Sequence, residues 1–188
     1  MPLSQYEKIG QLATALNDER IQQWLCKNNE DVEEVLARRV EQERTADGVT
    51  LVIEQEQRAI GFAGLIRYLG REDAFQTTTY LTPEVWGTGL APFCRQMQAS
   101  LAHVLGIPEY YASVHIDNQR SWKSLSRHFP KHAYSTEHEP WIPRDARVMR
   151  LTSQRIDSGM PDDTIAELRK VVQDFPLAQR LKDQPLSD

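Results

Sequence analysis

The sequence predicts a mixed α/β (α+β) fold, in which helices cover both faces of one central sheet. The first observation is the order of periodicities: helical spacing comes first, then adjacent strands, then strands that alternate with helices. The second is a strand, a glycine-containing turn and a helix start in direct succession across residues 75–104. The third is composition, because 188 residues with 40% hydrophobic and 26% charged residues suffice for one buried core.

The first half of the chain is predicted to supply two helices and a hairpin. Residues 9–16 carry apolar side chains at helical spacing, and a second helix, preceded by acidic residues, ends near Arg44. Residues 49–54 and 59–66 have the pattern of strands, and the polar stretch 55–58 between them is typical of a hairpin turn.

The second half is predicted to alternate strands and helices. Three consecutive threonines, Thr77 to Thr79, have high β-propensity, whereas Cys94, Met97 and Leu101 recur at helical spacing. The predicted elements are a strand at 75–81, a helix to about Leu105, a strand at 110–116, a short helix from Asn118 to about Phe129, and strands at 133–139 and 146–152.

One main domain, residues 1–155, is predicted to be followed by a C-terminal helical extension, residues 156–188. Residues 157–161 are typical of a linker because they contain serine, glycine and proline. The extension carries apolar residues at helical spacing, namely Ile165, Leu168, Val171 and Val172. Two interpretations stay open: a helix packed back on the domain, or a contact between the two copies of a homodimer.

Charge and hydropathy argue against several classes of function. The formal net charge is −5 and the pI is about 5.6, which disfavour a general nucleic-acid-binding surface. No apolar run is long enough to span a membrane, and the first residues lack the pattern of a secretory signal. Cys26 and Cys94 do not indicate a disulfide framework. We therefore expect a cytoplasmic protein without a membrane or nucleic-acid partner.

Trp86-Gly87-Thr88-Gly89, called the glycine turn below, predicts an anion site. The turn precedes a helix, whose first amides are unpaired and carry the positive end of its dipole. Glycines let a phosphate approach the backbone closely. Two phosphate motifs are excluded, because no Gly-Lys-Ser/Thr follows and Pro92 stands where a dinucleotide-binding turn has its third glycine. The alternative is a tight turn at a helix start without a ligand.

Four segments in sequence order resemble the GNAT N-acetyltransferase superfamily, and most of all its RimJ/RimL-type branch. LTPEVWGTGLA (residues 81–91) is similar to the turn that holds the pyrophosphate of acetyl-CoA. The opening helix of the branch and the segment after it are similar to LATALNDERIQQWL (12–25), and its central strand is similar to AIGFAGL (59–65). Its Asn-x-x-Ser element is similar to NQRS (118–121). The resemblance runs from about Leu12 to Leu151. It implies the GNAT fold, a mostly antiparallel mixed sheet whose two central strands splay and admit the pantetheine arm.

The resemblance implies acetyl-CoA as co-substrate and no metal ion. Leu81 would contact the thioester carbonyl through its backbone N–H, and Thr88 can add a hydroxyl to the backbone amides of the turn. Asn118 would meet the pantetheine or an ordered water, although asparagine is equally suited to be the N-cap of a helix. The implied cofactor-binding residues are Leu81, Thr82, Trp86, Gly87, Thr88, Gly89, Leu90, Ala91 and Asn118.

Four residues are candidates for catalysis: Asn118, Ser121, His115 and Tyr134. The resemblance implies that Ser121 can return a proton to the leaving thiolate, and an ordinary surface serine is the alternative. His115 is of the residue type that exchanges protons near neutral pH, but a lone histidine in a strand is more often only hydrogen-bonded. Tyr134 is a candidate proton donor from the next strand.

The chain departs from the family pattern mainly on the catalytic side. Gln76 stands where the branch often has glutamate, and glutamine cannot accept a proton. Leu125 occupies the place of the tyrosine that serves many members as proton donor. His128 and His132 are four residues apart, but Pro130 breaks the helix that would align them, so a metal pair is rejected.

The predicted function is acyl-CoA-dependent N-acyltransfer, in which acetyl passes from acetyl-CoA to a primary amine by direct attack in a ternary complex. The acceptor is expected to be a small-molecule amine or a protein N-terminus, and an acidic chain suits a cationic acceptor. Trp24, Tyr68 and Trp141 are candidate walls of the acceptor pocket, with core packing as the alternative. Two other functions stay open: a non-catalytic or weakly active acyl-CoA-binding module, which Gln76 and Leu125 support, and an aminoacyl-tRNA acetyltransferase, which the acidic charge disfavours.

Overall fold

The computed structural model describes residues 1–26, 30–68, 71, 73–129, 134–135, 145–153 and 160–183. Short 3₁₀ turns lie at Leu3–Gln5 and Pro83–Val85. The other elements are α1 (Ile9–Leu16), α2 (Glu19–Leu25), α3 (Val32–Arg44), β1 (Gly48–Gln55), β2 (Arg58–Arg67), β3 (Phe75–Leu81), α4 (Leu90–Val104), β4 (Glu109–His115), α5 (Gln119–His128), β5 (Tyr134–Ser135), β6 (Ala146–Thr152), α6 (Asp162–Val172) and α7 (Pro176–Asp183).

The predicted elements agree closely with these bounds, with two differences. Of the strand predicted at 133–139, only Tyr134–Ser135 lies within the described residues. The short helix α2 is an element that the sequence analysis does not predict as separate. It begins at the N-cap Asp18, whose side chain accepts a hydrogen bond from the Arg20 amide at 2.9 Å.

One mixed sheet of six strands forms the centre of the protein, in the order β1-β2-β3-β4-β6-β5. Neighbouring strands are antiparallel except β3 and β4, which are parallel. The predicted hairpin between β1 and β2 is confirmed, and its two turn residues, Glu56 and Gln57, have φ angles of 51° and 64°. Such a turn matches the right-handed twist of the strands that it joins.

β3 and β4 separate soon after they meet. They pair at only two positions, Phe75 with Tyr110 and Gln76 with Tyr111. Beyond these positions β3 stays paired with β2 as far as Leu81, and β4 stays paired with β6 as far as His115. The space between residues 77–81 and residues 112–115 is called the β3–β4 gap below. The splay of the two central strands that the resemblance implies is confirmed.

Helices cover both faces of the sheet, as predicted. On one face, α1, α2 and α3 form a core with Val52, Ala59 and Phe62. On the other face, α4, α5, α6 and α7 form a larger core with apolar residues of β1, β2, β3, β4 and β6. Cys94 of α4 is fully buried there, and burial raises the pKa of its thiol to about 11, which makes it a packing residue rather than a nucleophile.

A buried polar side chain fixes α4 against the sheet. Gln98 is 1% exposed, and its Nε2 donates to the carbonyl of Gly64 in β2 at 2.9 Å and to the carbonyl of Thr78 in β3 at 2.7 Å. Thr78 lies beyond the last residue of β3 that pairs with β4. Gln98 therefore donates a hydrogen bond to a carbonyl of the strand that borders the gap. Without a donor, this carbonyl would be costly to bury.

The C-terminal helices pack on the sheet face that α4 covers. Leu168, Phe175 and Leu177 belong to the same core cluster as the buried residues of α4. Val171, one of the apolar residues at helical spacing, is 40% exposed. Leu168 and Val172 are four residues apart and define the buried stripe of α6, and Val171 lies one residue, or about 100°, outside it. The predicted boundary at residue 155 and the predicted linker fall mostly outside the described residues.

None of the helices in the described part of the chain combines the length and the apolar character that crossing a bilayer requires.

The packing of α7 predicts a difference in stability between two substitutions in the C-terminal region. Leu177→Ala leaves a cavity at a side chain with 0% exposure, so the free energy of unfolding should fall by about 2–5 kcal/mol. Val171→Ala, at an exposed position, should change it by less than about 0.5 kcal/mol. Urea unfolding followed by circular dichroism measures both, and equal effects would contradict the described packing.

Candidate functional site

The glycine turn has a backbone conformation that only glycine adopts easily. After the 3₁₀ turn at Pro83–Val85, Gly87 has a φ of 84° and Gly89 a φ of 91°, both in the left-handed region. A Cβ added at either position would meet no atom within 4 Å. The glycines are therefore required by backbone conformation and not by crowding, and the surface around them is open enough for a ligand.

Four backbone amides at this turn are free. The amides of Trp86 and Thr88 donate within the turn, to Pro83 at 3.1 Å and to Val85 at 3.4 Å. Within the described residues, a second set of amides donates to no acceptor: Gly87, Gly89, Leu90 and Ala91. They lie at the start of the 15-residue helix α4, so the helix dipole adds positive potential there. The arrangement is suited to a phosphate group.

The two predicted threonines take different positions at this turn. Thr88 is an exposed residue, but its hydroxyl donates to the carbonyl of Val85 at 2.8 Å, which leaves the hydroxyl oxygen free only to accept. Thr82 is 1% exposed, and its amide donates to the carbonyl of Ile60 at 2.9 Å. Thr82 therefore faces the protein interior, where it joins the end of β3 to β2.

Trp86 connects three elements around the turn. Its indole Nε1 donates to the carbonyl of Leu81, the last residue of β3, at 2.8 Å. The guanidinium carbon of Arg120, in α5, lies 3.3 Å from the centre of the indole ring. The guanidinium of Arg20, in α2, lies 5.5 Å from the same ring centre. The resemblance implies that Trp86 is a cofactor-binding residue, but these two arginine contacts are not predictable from local sequence patterns.

Asn118 and Ser121 lie on the opposite side of the β3–β4 gap from the glycine turn, because α5 follows β4. The Asn118 Oδ1 accepts a hydrogen bond from the Ser121 amide at 3.1 Å, so Asn118 is the N-cap of α5. The half-buried Ser121 hydroxyl makes no hydrogen bond to a described residue. Leu125, one turn further along the helix, is buried in the core and supplies no proton.

His115 ends β4 between two carboxylates. Its Nδ1 accepts a hydrogen bond from the Asp117 amide at 3.2 Å, and its Nε2 lies 3.7 Å from Oδ2 of Asp145. The Asp117 carboxylate lies 3.6 Å from Nδ1. An accepting Nδ1 assigns the proton of the neutral ring to Nε2. The lone pair that would take a further proton is thus occupied by an amide in this arrangement.

Trp24 spans the gap on the face that α1, α2 and α3 cover. Its carbonyl accepts a hydrogen bond from the Tyr80 hydroxyl of β3 at 2.9 Å, and its indole lies 5.7 Å from the His115 ring of β4. Tyr68, the second predicted wall, is buried and packs edge-on against Tyr111 of β4 at 6.2 Å. Trp141 and the side chain of Tyr134 lie outside the described residues.

A polar cavity of about 700 Å³ lies beside the site, between α1, the start of α2 and the residues before the glycine turn. Its charged side chains neutralise one another: Arg20 with Asp18 at 2.7 Å, and Arg58 with Glu84 at 3.4 Å. Among the described residues that line it, each charged side chain has a partner of opposite charge. The β3–β4 gap, with its free amides, is therefore the better candidate site.

Comparison with known proteins identifies the family of the domain. The profile of the family described as "Acetyltransferase (GNAT) domain" matches residues 2–128, about two thirds of the chain. Among curated proteins, no significant match is found. The match does not distinguish the RimJ/RimL-type branch from other branches.

Several solved structures share the fold at low sequence identity. A chimera of the spermidine N-acetyltransferase from Vibrio cholerae and hSSAT has a TM-score of 0.60 at 14% identity, over 80% of this chain and 93% of that one. An aminoglycoside acetyltransferase in complex with coenzyme A has a TM-score of 0.60 at 16% identity, over 79% and 91%. The N-acetyltransferase PseH from Campylobacter jejuni, in complex with acetyl coenzyme A, has a TM-score of 0.53 at 13% identity, over 81% and 96%. The predicted fold class is confirmed.

The conformation of the turn predicts opposite effects for the same substitution at two glycines. Gly89→Ala places a side chain at a φ of 91° and should lower the free energy of unfolding by about 1–2 kcal/mol. Gly10→Ala, within α1, also meets no atom within 4 Å but has no positive φ, so it should leave stability unchanged or raise it by up to about 1 kcal/mol. Urea unfolding measures both, and a destabilised Gly10→Ala with an unchanged Gly89→Ala would contradict the turn geometry.

Proposed function

Because the chain belongs to the GNAT acetyltransferase family, we propose that it transfers an acetyl group from acetyl-CoA to a primary amine by direct attack in a ternary complex. The observation that carries the proposal is the group of four free amides at the glycine turn, next to the gap between β3 and β4. A phosphate site beside a cleft between two strands suits a ligand with a charged end and a long, narrow arm. Acetyl-CoA has both.

The amides of Gly87, Gly89, Leu90 and Ala91 would bind the pyrophosphate of the donor. The pantetheine arm would then enter the β3–β4 gap, where the edges of the two strands no longer pair with each other. Asn118, at the start of α5, can contact this arm with its amide nitrogen, because only its Oδ1 is used by the N-cap. Binding at both ends would hold the thioester at the acceptor, and such positioning supplies much of the rate enhancement.

In the proposed reaction the amine nitrogen bonds to the acetyl carbon while the bond from that carbon to sulfur breaks. A cationic acceptor first loses one proton to a base, because only the neutral amine has a lone pair with which to attack. The nitrogen loses a second proton as the amide forms, and the thiolate of CoA takes up one proton. The Ser121 hydroxyl, without a hydrogen bond to a described residue, is the proposed donor to the thiolate. His115 is the proposed base, and it requires that Nδ1 be released from the Asp117 amide so that its lone pair can take the proton.

The acceptor is proposed to be a cationic amine, either a small molecule or a protein N-terminus. The carboxylates of Asp117 and Asp145 are exposed beside His115, and the Trp24 indole lies on the same side of the sheet. Carboxylates attract an ammonium group, and an aromatic face can stack on it. Two of the structural relatives are described as acetyltransferases of spermidine and of aminoglycosides, both of them amines. We also propose that the protein is of the RimJ/RimL type, that it is cytoplasmic and that it forms a homodimer.

Calorimetric titration with acetyl-CoA and with CoA tests the donor site. The intact protein should bind both with a Kd of roughly 1–100 µM, the range in which enzymes commonly bind their substrates. Gly87→Arg should lose binding, because its side chain occupies the space above the free amides and its φ of 84° strains the turn. Gly10→Arg, an equal change at an open position of α1, is the matched control and should bind as the intact protein does.

A screen of amines for release of free CoA thiol then tests catalysis. Release that depends on an amine supports the proposed transfer. Donor binding without release from any diamine, aminoglycoside or peptide N-terminus would instead favour an acyl-CoA-binding module, for which the neutral Gln76 at the start of the gap and the buried Leu125 are the structural arguments. Absence of donor binding by the intact protein would contradict both functions.

A further inference from the structure

The contact between Arg120 and Trp86 crosses the β3–β4 gap. Trp86 belongs to the turn that follows β3, and Arg120 belongs to the first turn of α5, which follows β4. Since the two strands stop pairing after Gln76 and Tyr111, these side chains stand on opposite sides of the open end of the gap. A distance of 3.3 Å from the guanidinium carbon to the ring centre is full stacking contact.

Arg120 is a cation without an anionic partner among the described residues, whereas Arg20 and Arg58 each have one. Arg20 donates to the Asp18 carboxylate through two nitrogens, at 2.9 and 2.7 Å. Arg58 lies 3.4 Å from the Glu84 carboxylate. Arg147, near the start of α5, donates to the Gln119 amide oxygen at 3.3 Å and adds a further positive charge.

The surroundings of Arg120 are positively charged. The pKa of Arg120 is lowered, mainly by burial against its neighbours and to a smaller extent by the charge of Arg20. The free amides of the glycine turn and the N-terminus of α4 start at the residue after Trp86, and they carry the same sign of potential. A cation placed beside a helix N-terminus gains free energy when an anion binds between them.

We propose that Arg120 is a phosphate-binding residue for the acyl-CoA donor, and that in the ligand-free protein its stacking on Trp86 closes the open end of the gap. When the donor binds, the guanidinium leaves the indole face and binds a phosphate group beside the glycine turn. The guanidinium fork fits phosphate oxygens with two parallel hydrogen bonds. The inference rests on the proposed function, because it assigns a residue to the same donor site.

Three acyl donors and three proteins test this assignment by calorimetry. The donors are acetyl-CoA, its analogue without the 3′-phosphate, and acetyl-pantetheine, which has no phosphate. The proteins are the intact chain, Arg120→Gln and Arg127→Gln. Arg127 is exposed in the same helix and has no hydrogen bond or ion pair with a described residue, so it controls for the loss of one positive charge.

Arg120→Gln should bind acetyl-CoA about 10-fold to 100-fold more weakly than the intact chain, the range for losing a charged hydrogen bond. It should bind acetyl-pantetheine equally well or better, because the gap is no longer closed by the stack. A penalty that persists for the analogue without the 3′-phosphate assigns Arg120 to the pyrophosphate, and a penalty that disappears assigns it to the 3′-phosphate. Arg127→Gln should match the intact chain for all three donors.

Two results would overturn the assignment while the proposed function stands. If Arg120→Gln binds acetyl-CoA as tightly as the intact chain, the arginine only covers Trp86. Equal weakening for acetyl-CoA and for acetyl-pantetheine would show a role in the shape of the gap rather than in phosphate binding. If the intact chain binds none of the three donors, the proposed function fails and this assignment fails with it.

Discussion

β3 and β4 share only two paired positions, and the candidate site depends on that separation. Each strand keeps its other neighbour, β2 for β3 and β6 for β4, so the sheet remains continuous outside the gap. Two polar groups along the gap are satisfied from outside the two strands: Gln98 of α4 donates to the Thr78 carbonyl, and the Tyr80 hydroxyl donates to the Trp24 carbonyl of α2. Because buried polar groups need partners, these contacts permit a gap in the middle of a sheet.

Trp86 contacts both sides of the gap. Its indole is hydrogen-bonded to the Leu81 carbonyl at the end of β3, and its face is stacked on Arg120 at the start of α5. The free amides begin at the next residue, Gly87. If Arg120 has the proposed role, the gap opens when a phosphate binds at the turn, because the same arginine takes part in both changes.

The sequence predicted the parts of the site that local patterns encode. Gly87, Gly89 and the helix start at Leu90 were predictable, because glycine spacing marks positive φ and apolar spacing marks the helix. The gap itself followed only from the resemblance, since strand pairing between distant segments leaves no local signal. Gln98 and Arg120 were missed because a polar residue on a helix is most often solvated. The exposure of Val171 shows that apolar residues at helical spacing do not by themselves define how wide a buried stripe is.

Hydrogen exchange of individual backbone amides, measured by NMR with and without acetyl-CoA, tests whether the free amides of the glycine turn bind the donor. We predict that donor binding slows exchange by at least about 10-fold at the amides that donate to no described acceptor, those of Gly87, Gly89, Leu90 and Ala91. Trp86 and Thr88, whose amides already donate within the turn, should change least. Protection confined to the polar cavity beside α1, with unchanged exchange at the four free amides, would contradict the account.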